Sequence, residues 1–99
     1  MFMPTPLKPA RIETALRRLP GWKFQRNALA KSFTFGGFAE ALSFMLRVGF
    51  AAEAMNHHPE WTNVYNRVAI RLNTHDADGK VTAKDVALAR RIEEISWLE

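Results

Sequence analysis

Apolar residues recur along this chain with two spacings, one typical of helices and the other of strands. Spacings of three and four predict a helix from Pro9 that ends by Pro20-Gly21, and a long helix from Phe38 to about His57. A third helix is expected after Thr82. Alternation at every second residue predicts four strands, at residues 22–25, 29–35, 61–65 and 68–74. The predicted order of elements is therefore α-β-β-α-β-β-α.

Short polar segments should mark the ends of these elements. Arg26-Asn27 is predicted to join the first two strands, and Asn66-Arg67 the last two. Pro59 disfavours helical geometry in the residue before it, so the long helix should end there. Thr82 is expected to cap the third helix, with Asp85 three residues on in the capping-box position.

These elements predict a two-layer α+β domain. Three helices would pack on one face of a four-stranded antiparallel sheet, and the other face would stay in contact with water. No linker or low-complexity tract divides the chain, so residues 1–99 are expected to form one domain, with residues 1–8 as a loose N-terminal arm. The second helix is apolar around much of its circumference, which predicts burial on two sides, one against the sheet and one against a partner chain.

The composition is that of an ordinary globular domain. The 99 residues are 47% hydrophobic and 24% charged. No apolar run approaches the roughly 20 residues of a membrane-spanning helix, and the N-terminal segment lacks the pattern of a secretory signal. Cysteine is absent, which excludes disulfides and zinc ribbons and favours a reducing cytoplasm.

The net charge of +4 raises the question of nucleic-acid binding. The basic residues are scattered, however, with only Arg17-Arg18 and Arg90-Arg91 adjacent. The chain carries neither a helix-turn-helix glycine pattern nor a ribonucleoprotein aromatic motif. A solvated basic surface accounts for the charge, so no nucleic-acid partner is predicted.

All three histidines lie in two short segments. His57 and His58 follow the long helix, and His75 follows the fourth strand. Imidazole can both donate and accept a proton near neutral pH. Glu53 precedes His57 by four residues and is expected to contact it on one helix face, while Asp76 follows His75. Three imidazoles and two carboxylates around one pocket would suit general acid–base catalysis.

Two other interpretations of the histidines stay open. A single histidine is most often a structural residue that makes one hydrogen bond. Three histidines, or two with a carboxylate, also form the ligand set of catalytic zinc and non-haem iron, although adjacent histidines seldom chelate one ion and the spacing differs from HExxH. The chain has no cysteine nucleophile, no Gly-x-Ser-x-Gly motif and no glycine-rich phosphate loop.

Three segments around the histidines form one long and unusual motif. They are His57-His58-Pro59-Glu60-Trp61, Asn63-Val64-Tyr65-Asn66-Arg67-Val68, and Leu72-Asn73-Thr74-His75-Asp76 with Gly79. This motif resembles the signature of the pterin-4a-carbinolamine dehydratases. The similarity covers most of the chain from about Ile12 and includes Leu19-Pro20-Gly21-Trp22, Phe33-Thr34-Phe35 and Asp85 with Leu88-Ala89.

The resemblance implies a function as well as the fold predicted above. The reaction of this family is the dehydration of 4a-hydroxytetrahydropterin, which aromatic amino acid hydroxylases produce, to quinonoid dihydropterin. It implies a small-molecule pterin substrate, no cofactor and no metal, and assembly into a homodimer or homotetramer. The alternative is a non-catalytic binding or regulatory module on the same fold, with a hydroxylase or a transcription factor as partner.

The resemblance also assigns roles to individual residues. The catalytic histidines of the family fall on His57, His58 and His75. Glu53 would support His57, and Asp76 is a second supporting carboxylate. Trp61 is expected either to wall the pocket or to anchor the sheet in the core. The substrate-contacting segments fall on Asn56, His57, His58, Asn73, Thr74, His75 and Asp76.

Overall fold

Two β-hairpins supply the four strands of a single antiparallel sheet. A computed structural model describes residues 4–96 of the chain. The order of strands across the sheet is β1-β2-β4-β3, and every neighbouring pair is antiparallel. The four-stranded sheet and the predicted order of elements are thereby confirmed. The strands are β1 (Lys23–Gln25), β2 (Ala28–Thr34), β3 (Glu60–Val64) and β4 (Arg67–Leu72).

The first hairpin closes through the predicted two-residue turn. Arg26 and Asn27 have positive φ angles of 51° and 61°, and a type I′ turn needs positive φ at both central residues. Asparagine tolerates this left-handed region better than most residues. The local sequence signal was therefore sufficient to locate this turn.

The second hairpin turns one residue earlier than predicted. Val64 pairs with Arg67, so the turn consists of Tyr65 and Asn66 rather than Asn66 and Arg67. Asn66 is held from outside the hairpin, because its carbonyl accepts a hydrogen bond from the Phe35 N–H at 2.8 Å and its side chain donates to the Phe35 carbonyl at 3.0 Å. A contact with a residue 31 positions away sets this register, and no local pattern could reveal it.

The three helices pack with the buried face of the sheet into one core. The buried strand residues Val68, Ile70 and Leu72 alternate with Ala69 and Arg71, which face away, as predicted. The helices are α1 (Pro9–Leu16), α2 (Phe38–Met55) and α3 (Ala83–Ser96). Between residues 4 and 96, no helix combines the length and the apolar character that crossing a bilayer demands.

The long helix α2 has two apolar sides, as its sequence predicts. One side buries Ala41, Phe44, Val48 and Ala52. The rings of Phe33 and Phe35 lie 4.8 and 4.9 Å from that of Phe44, measured between centroids. The other side of α2 is exposed in the single chain.

The N-terminal arm is attached to the domain at its end. Residues 4–8 have no regular secondary structure, but the Leu7 N–H donates to the Val81 carbonyl at 2.9 Å and the Leu7 side chain packs against the core. This contact holds the chain at the start of α1. Residues 1–3 of the predicted arm lie outside the described residues.

Candidate active site

A pocket of about 400 Å³ opens where α2 and β4 end and where β3 and α3 begin. It contains all three histidines and every residue of the two predicted substrate-contacting segments. These residues are Asn56, His57, His58, Asn73, Thr74, His75 and Asp76. The predicted gathering of the histidines in one pocket is therefore observed.

The end of α2 directs the two adjacent histidines in different directions. Asn56 adopts the left-handed conformation, with φ 53° and ψ 43°. The His57 N–H donates to the Ala52 carbonyl at 3.1 Å, and the Asn56 N–H donates to the Glu53 carbonyl at 3.1 Å. This pattern of two bonds is a Schellman C-cap, which reverses the chain after a helix. His57 turns inward, and His58 stays at the surface.

His57 is buried and held by a carboxylate from another helix. Its Nε2 lies 2.5 Å from Oδ1 of Asp85, which is fully buried. Within residues 4–96, every fully buried polar side-chain atom has a hydrogen-bond partner, and the His57 ring is bonded only through Nε2, to Asp85. Nδ1 is therefore accessible to solvent, and His57 is one of the residues that line the pocket.

Asp85 is part of a buried hydrogen-bond network. Its Oδ2 accepts from the Thr74 hydroxyl at 2.8 Å and from the Thr82 N–H at 2.8 Å. Since the Thr74 proton goes to Asp85, the 2.7 Å contact between the two threonine hydroxyls must have Thr82 as its donor. The Thr82 oxygen in turn accepts from the Lys84 N–H at 3.2 Å. The predicted cap of α3 is confirmed, and the same carboxylate that completes it also holds His57.

The predicted contact between Glu53 and His57 is wrong. Glu53 instead bonds His58, with 2.8 Å between Oε1 and Nε2. The i, i+4 geometry applies only while the helix continues, and α2 ends at Met55, before His57. The side chains of His58 and Glu53 are 59% and 80% exposed, so this pair lies at the surface.

His75 reaches the pocket from a short loop rather than directly from a strand. β4 ends at Leu72, and a 3-10 helix spans His75–Ala77. Thr74 anchors this loop, because it forms an isolated bridge with Lys80 and its carbonyl accepts from the Gly79 N–H at 3.0 Å. His75 and Asp76 are exposed, which leaves both side chains accessible from the pocket that they line.

Trp61 does not line the pocket and belongs with the core. It pairs with the inward-facing Ile70 and packs against the core cluster. Its ring lies 3.7 Å from the position that a Cβ would take at Gly49 of α2. Of the two expectations for Trp61, the structure therefore favours the anchoring role.

Sequence reasoning missed Asp85 as a site residue, together with four residues of the pocket lining. Asp85 was interpreted as a helix cap and as part of the family pattern, and no role at the site was assigned to it. A further signal was that aspartate, with its shorter side chain, occupies the position where glutamate or glutamine is usual. The four missed lining residues are Pro59, Glu60, Arg71 and Lys84.

The titratable groups of the pocket do not form a metal-ligand cluster. Within residues 4–96, no three His, Cys, Asp or Glu side chains are grouped in a way that could hold a metal ion. His57 and His58 each face a different carboxylate. The donor set is therefore arranged as separate imidazole–carboxylate pairs.

Comparison with known proteins gives one consistent result. The family model described as pterin 4 alpha carbinolamine dehydratase matches residues 5–95. A candidate pterin-4-alpha-carbinolamine dehydratase of Opitutus terrae is 62% identical over 96 residues, covering 97% of this chain and 99% of the relative. One of Christiangramia forsetii is 49% identical over 84 residues, covering 85% of this chain and 86% of the relative.

The fold is also that of a solved relative. A crystal structure of a transcriptional coactivator/pterin dehydratase from Brucella melitensis superimposes with a TM-score of 0.86 at 40% identity, over 92% of this chain and 98% of the other. By its motif, its fold and these relatives, the chain belongs to the pterin-4a-carbinolamine dehydratases, a family of hydro-lyases that act on pterins.

Proposed function

We propose that this protein dehydrates 4a-hydroxytetrahydropterin to quinonoid dihydropterin in the three-histidine pocket. The observation that carries the proposal is the buried His57–Asp85 pair, which presents one imidazole nitrogen to a pocket that also contains His58 and His75. Family membership supplies the reaction class. The pocket supplies side chains able to move the protons.

The reaction requires two proton transfers and no change of oxidation state. The C4a–O bond breaks, and the oxygen leaves as water after it receives a proton. The proton on N5 is removed, and the electron pair of the N5–H bond forms the N5=C4a double bond. One group must therefore act as an acid at the oxygen and another as a base at N5, which is the chemistry that imidazoles provide near neutral pH.

In this proposal His57 works through Nδ1. An ionised Asp85 accepts a hydrogen bond from Nε2–H, and in the neutral ring this leaves Nδ1 with a free lone pair. Nδ1 then accepts a proton in one step and returns it in another. Asp85 holds the ring in this tautomer without contacting the substrate, as the carboxylate does in other histidine–carboxylate systems.

His58 and His75 supply the second proton-transfer group. Both are exposed on the pocket, and Glu53 orients His58. Asn73 and Asp76 offer hydrogen-bonding groups for the pterin ring, which carries donors and acceptors along one edge. The kinetics of single variants decide the division of labour between His58 and His75.

The test follows the decay of chemically prepared 4a-hydroxytetrahydropterin with purified protein. His57→Ala and His75→Ala should each slow the catalysed decay by about 100-fold, the usual contribution of a general acid or base. Glu94→Ala, which removes an exposed carboxylate of α3, serves as the control and should match the wild type. Decay rates for both histidine variants equal to the wild type would refute the proposed site.

We propose further that an aromatic amino acid hydroxylase supplies the substrate, since such enzymes release the 4a-hydroxy compound. With tetrahydropterin in limiting amounts, adding this protein to a hydroxylase and a dihydropterin reductase should raise the steady rate of hydroxylation. The His57→Ala variant should give no increase. An equal increase with that variant would point to a binding role instead.

We also propose that α2 joins two copies of this chain. Its exposed side carries Phe38, Leu42, Leu46 and Phe50, which are 49%, 43%, 55% and 74% exposed and recur every four residues. A continuous apolar stripe on one helix can pack against itself about a two-fold axis. Leu46→Glu with Phe50→Glu should convert the oligomer to a monomer in light scattering. If the wild type is a monomer, the stripe would instead be a binding surface for another protein, in line with the word coactivator in the description of the Brucella relative.

A further inference from the structure

The outer face of the sheet carries a second, basic depression. Its volume is about 690 Å³. Small residues, Ala30, Ser32 and Ala69, lie along it, and the cationic side chains of Lys23, Arg26 and Arg71 border it. We call this region the basic trough. Lys31 also contributes to its lining but is paired with Glu93 at 2.7 Å. Within the described part of the chain, none of the residues that line the trough is acidic.

The basic trough is continuous with the candidate active site. Arg71 lines both the trough and the histidine pocket. Along β4 the outward-facing positions lead from Ala69 in the trough, through Arg71, to Asn73 in the pocket. A strand rises about 3.3 Å per residue, so a group above Ala69 lies about 13 Å from one beside Asn73. A ligand held in the pocket therefore has a charged path leading away from it.

The cations of the trough differ in how far they are neutralised. Arg71 donates to Glu60 at 2.9 Å and to the Arg26 carbonyl at 3.1 Å, which fixes it at the junction between trough and pocket. Within residues 4–96, Lys23 and Arg26 form no ion pair, in contrast to Lys31. Two separate positive charges thus lie beyond the junction, which suits an anion with several charges along its length better than a single terminal charge.

We infer that the basic trough binds a polycarboxylate side chain attached to C6 of a pterin whose ring occupies the histidine pocket. The inference rests on the proposed function, because it takes a pterin as the ligand of that pocket. A short neutral side chain would end before the trough. A chain of glutamyl residues would place successive carboxylates beside Arg71, Arg26 and Lys23, and arginine and lysine pair readily with such groups.

The test measures equilibrium binding of stable oxidised pteridines by isothermal titration calorimetry. The probes are biopterin, which is neutral, pterin-6-carboxylate, whose charge lies too close to the ring to span the trough, and pteroylpentaglutamate. Pteroylpentaglutamate should bind about tenfold more tightly than biopterin at low salt, and pterin-6-carboxylate should not. High salt should remove most of the difference, since exposed charges are screened.

Matched double variants separate the trough from the net charge of the protein. Lys23→Gln with Arg26→Gln should abolish the tenfold preference and leave biopterin binding unchanged. Arg11→Gln with Arg90→Gln removes the same charge from the helical side and should retain the preference. Equal affinities of the wild type for pteroylpentaglutamate and biopterin would overturn the inference, as would equal losses in both double variants.

Two further readouts keep this inference distinct from the proposed function and from nucleic-acid binding. Absence of any catalysed dehydration would refute the function, while the binding measurements would still decide the trough. A single-stranded oligonucleotide that binds through Lys23 and Arg26 and is not displaced by pteroylpentaglutamate would overturn the inference in favour of nucleic acid.

Discussion

Two histidine–carboxylate pairs meet at one pocket, and their surroundings differ completely. His57 and Asp85 lie 2.5 Å apart, with side chains 9% and 0% exposed, and their positions are 28 residues apart in the chain. His58 and Glu53 lie 2.8 Å apart, with side chains 59% and 80% exposed, and are five residues apart. The chemistry of the two pairs is the same, but their cost and their consequences are not.

The buried pair exists only because the fold has compensated its carboxylate. Removing an ion from water costs several kcal/mol, and the loss is recovered only through well-placed hydrogen bonds. Asp85 receives two such bonds, from Thr74 and Thr82, in addition to its contact with His57. The exposed pair needs no such network, because water solvates both partners. Burial therefore fixes the orientation of His57, whereas His58 is oriented only by a solvent-exposed hydrogen bond to Glu53.

The largest effect is expected from Asp85→Asn. The amide oxygen can still accept the cap bond from Thr82, but the NH₂ group would face Nε2 of His57. This favours the tautomer that carries its proton on Nδ1, so the ring can no longer act as a base toward the pocket. Turnover should fall at least about 100-fold. The decay assay measures it, and circular dichroism should show a folded protein.

Asp85→Ala tests how much the buried pair contributes to the stability of the fold. It leaves His57, Thr74 and the cap of α3 without their partner, and should lower the free energy of unfolding in urea by about 3 kcal/mol. Glu53→Ala is the matched control at the surface, where about 0.5 kcal/mol or less is expected. Similar losses for the two variants would show that burial does not separate the pairs.

An intermediate effect is expected from Thr74→Val, which keeps the shape of the side chain and removes its hydroxyl. Asp85 then loses one of its donors, and the Thr82 hydroxyl loses its acceptor. The free energy of unfolding should fall by about 1–2 kcal/mol. Thr62→Val, at an exposed position of β3, should be neutral or stabilising. An unchanged urea midpoint for Thr74→Val would mean that the network does not support Asp85.

Asn56→Ala tests the bend that separates the two pairs. The left-handed conformation at this position costs alanine about 1 kcal/mol relative to asparagine or glycine. Asn56 also lines the pocket, so the clean comparison is between stabilities. Asn56→Gly should match or exceed the wild type in the urea midpoint, and Asn56→Ala should lie below it. Equal midpoints for the two variants would show that the bend is held by other contacts.

The same contrast explains what the sequence could predict. The hairpin at Arg26-Asn27 and the cap at Thr82 follow from residues within a few positions of each other, and both were predicted correctly. The pairing of His57 was wrong because it depends on one left-handed residue at the end of α2. Asp85 was missed as its partner because only the tertiary fold brings them together.

The pocket lining shows the same limit. His57, His58 and His75 were found because their residue type suggests proton transfer. Arg71 and Lys84 are ordinary surface cations in the sequence, and only the tertiary fold places them both at the pocket. Trp61, in contrast, was a predicted pocket residue that does not line the pocket, since the pairing of β3 with β4 turns it toward the core.

The smallest effect is expected from Glu53→Gln, which tests the charge of the exposed pair alone against that of the buried pair. The amide keeps the reach of the side chain and removes its charge, so any change reports on the charge of an exposed pair. Stability should change by no more than about 0.5 kcal/mol. Turnover should fall a few-fold at low salt, because Glu53 no longer offers His58 the carboxylate oxygen that orients its ring, and the difference from the wild type should shrink as salt screens the pair. The Asp85→Asn defect should not respond to salt, because the charge that this substitution removes is buried. A Glu53→Gln defect as large and as insensitive to salt as that of Asp85→Asn would mean that substrate binding buries the second pair as well, and that the two pairs become alike during the reaction.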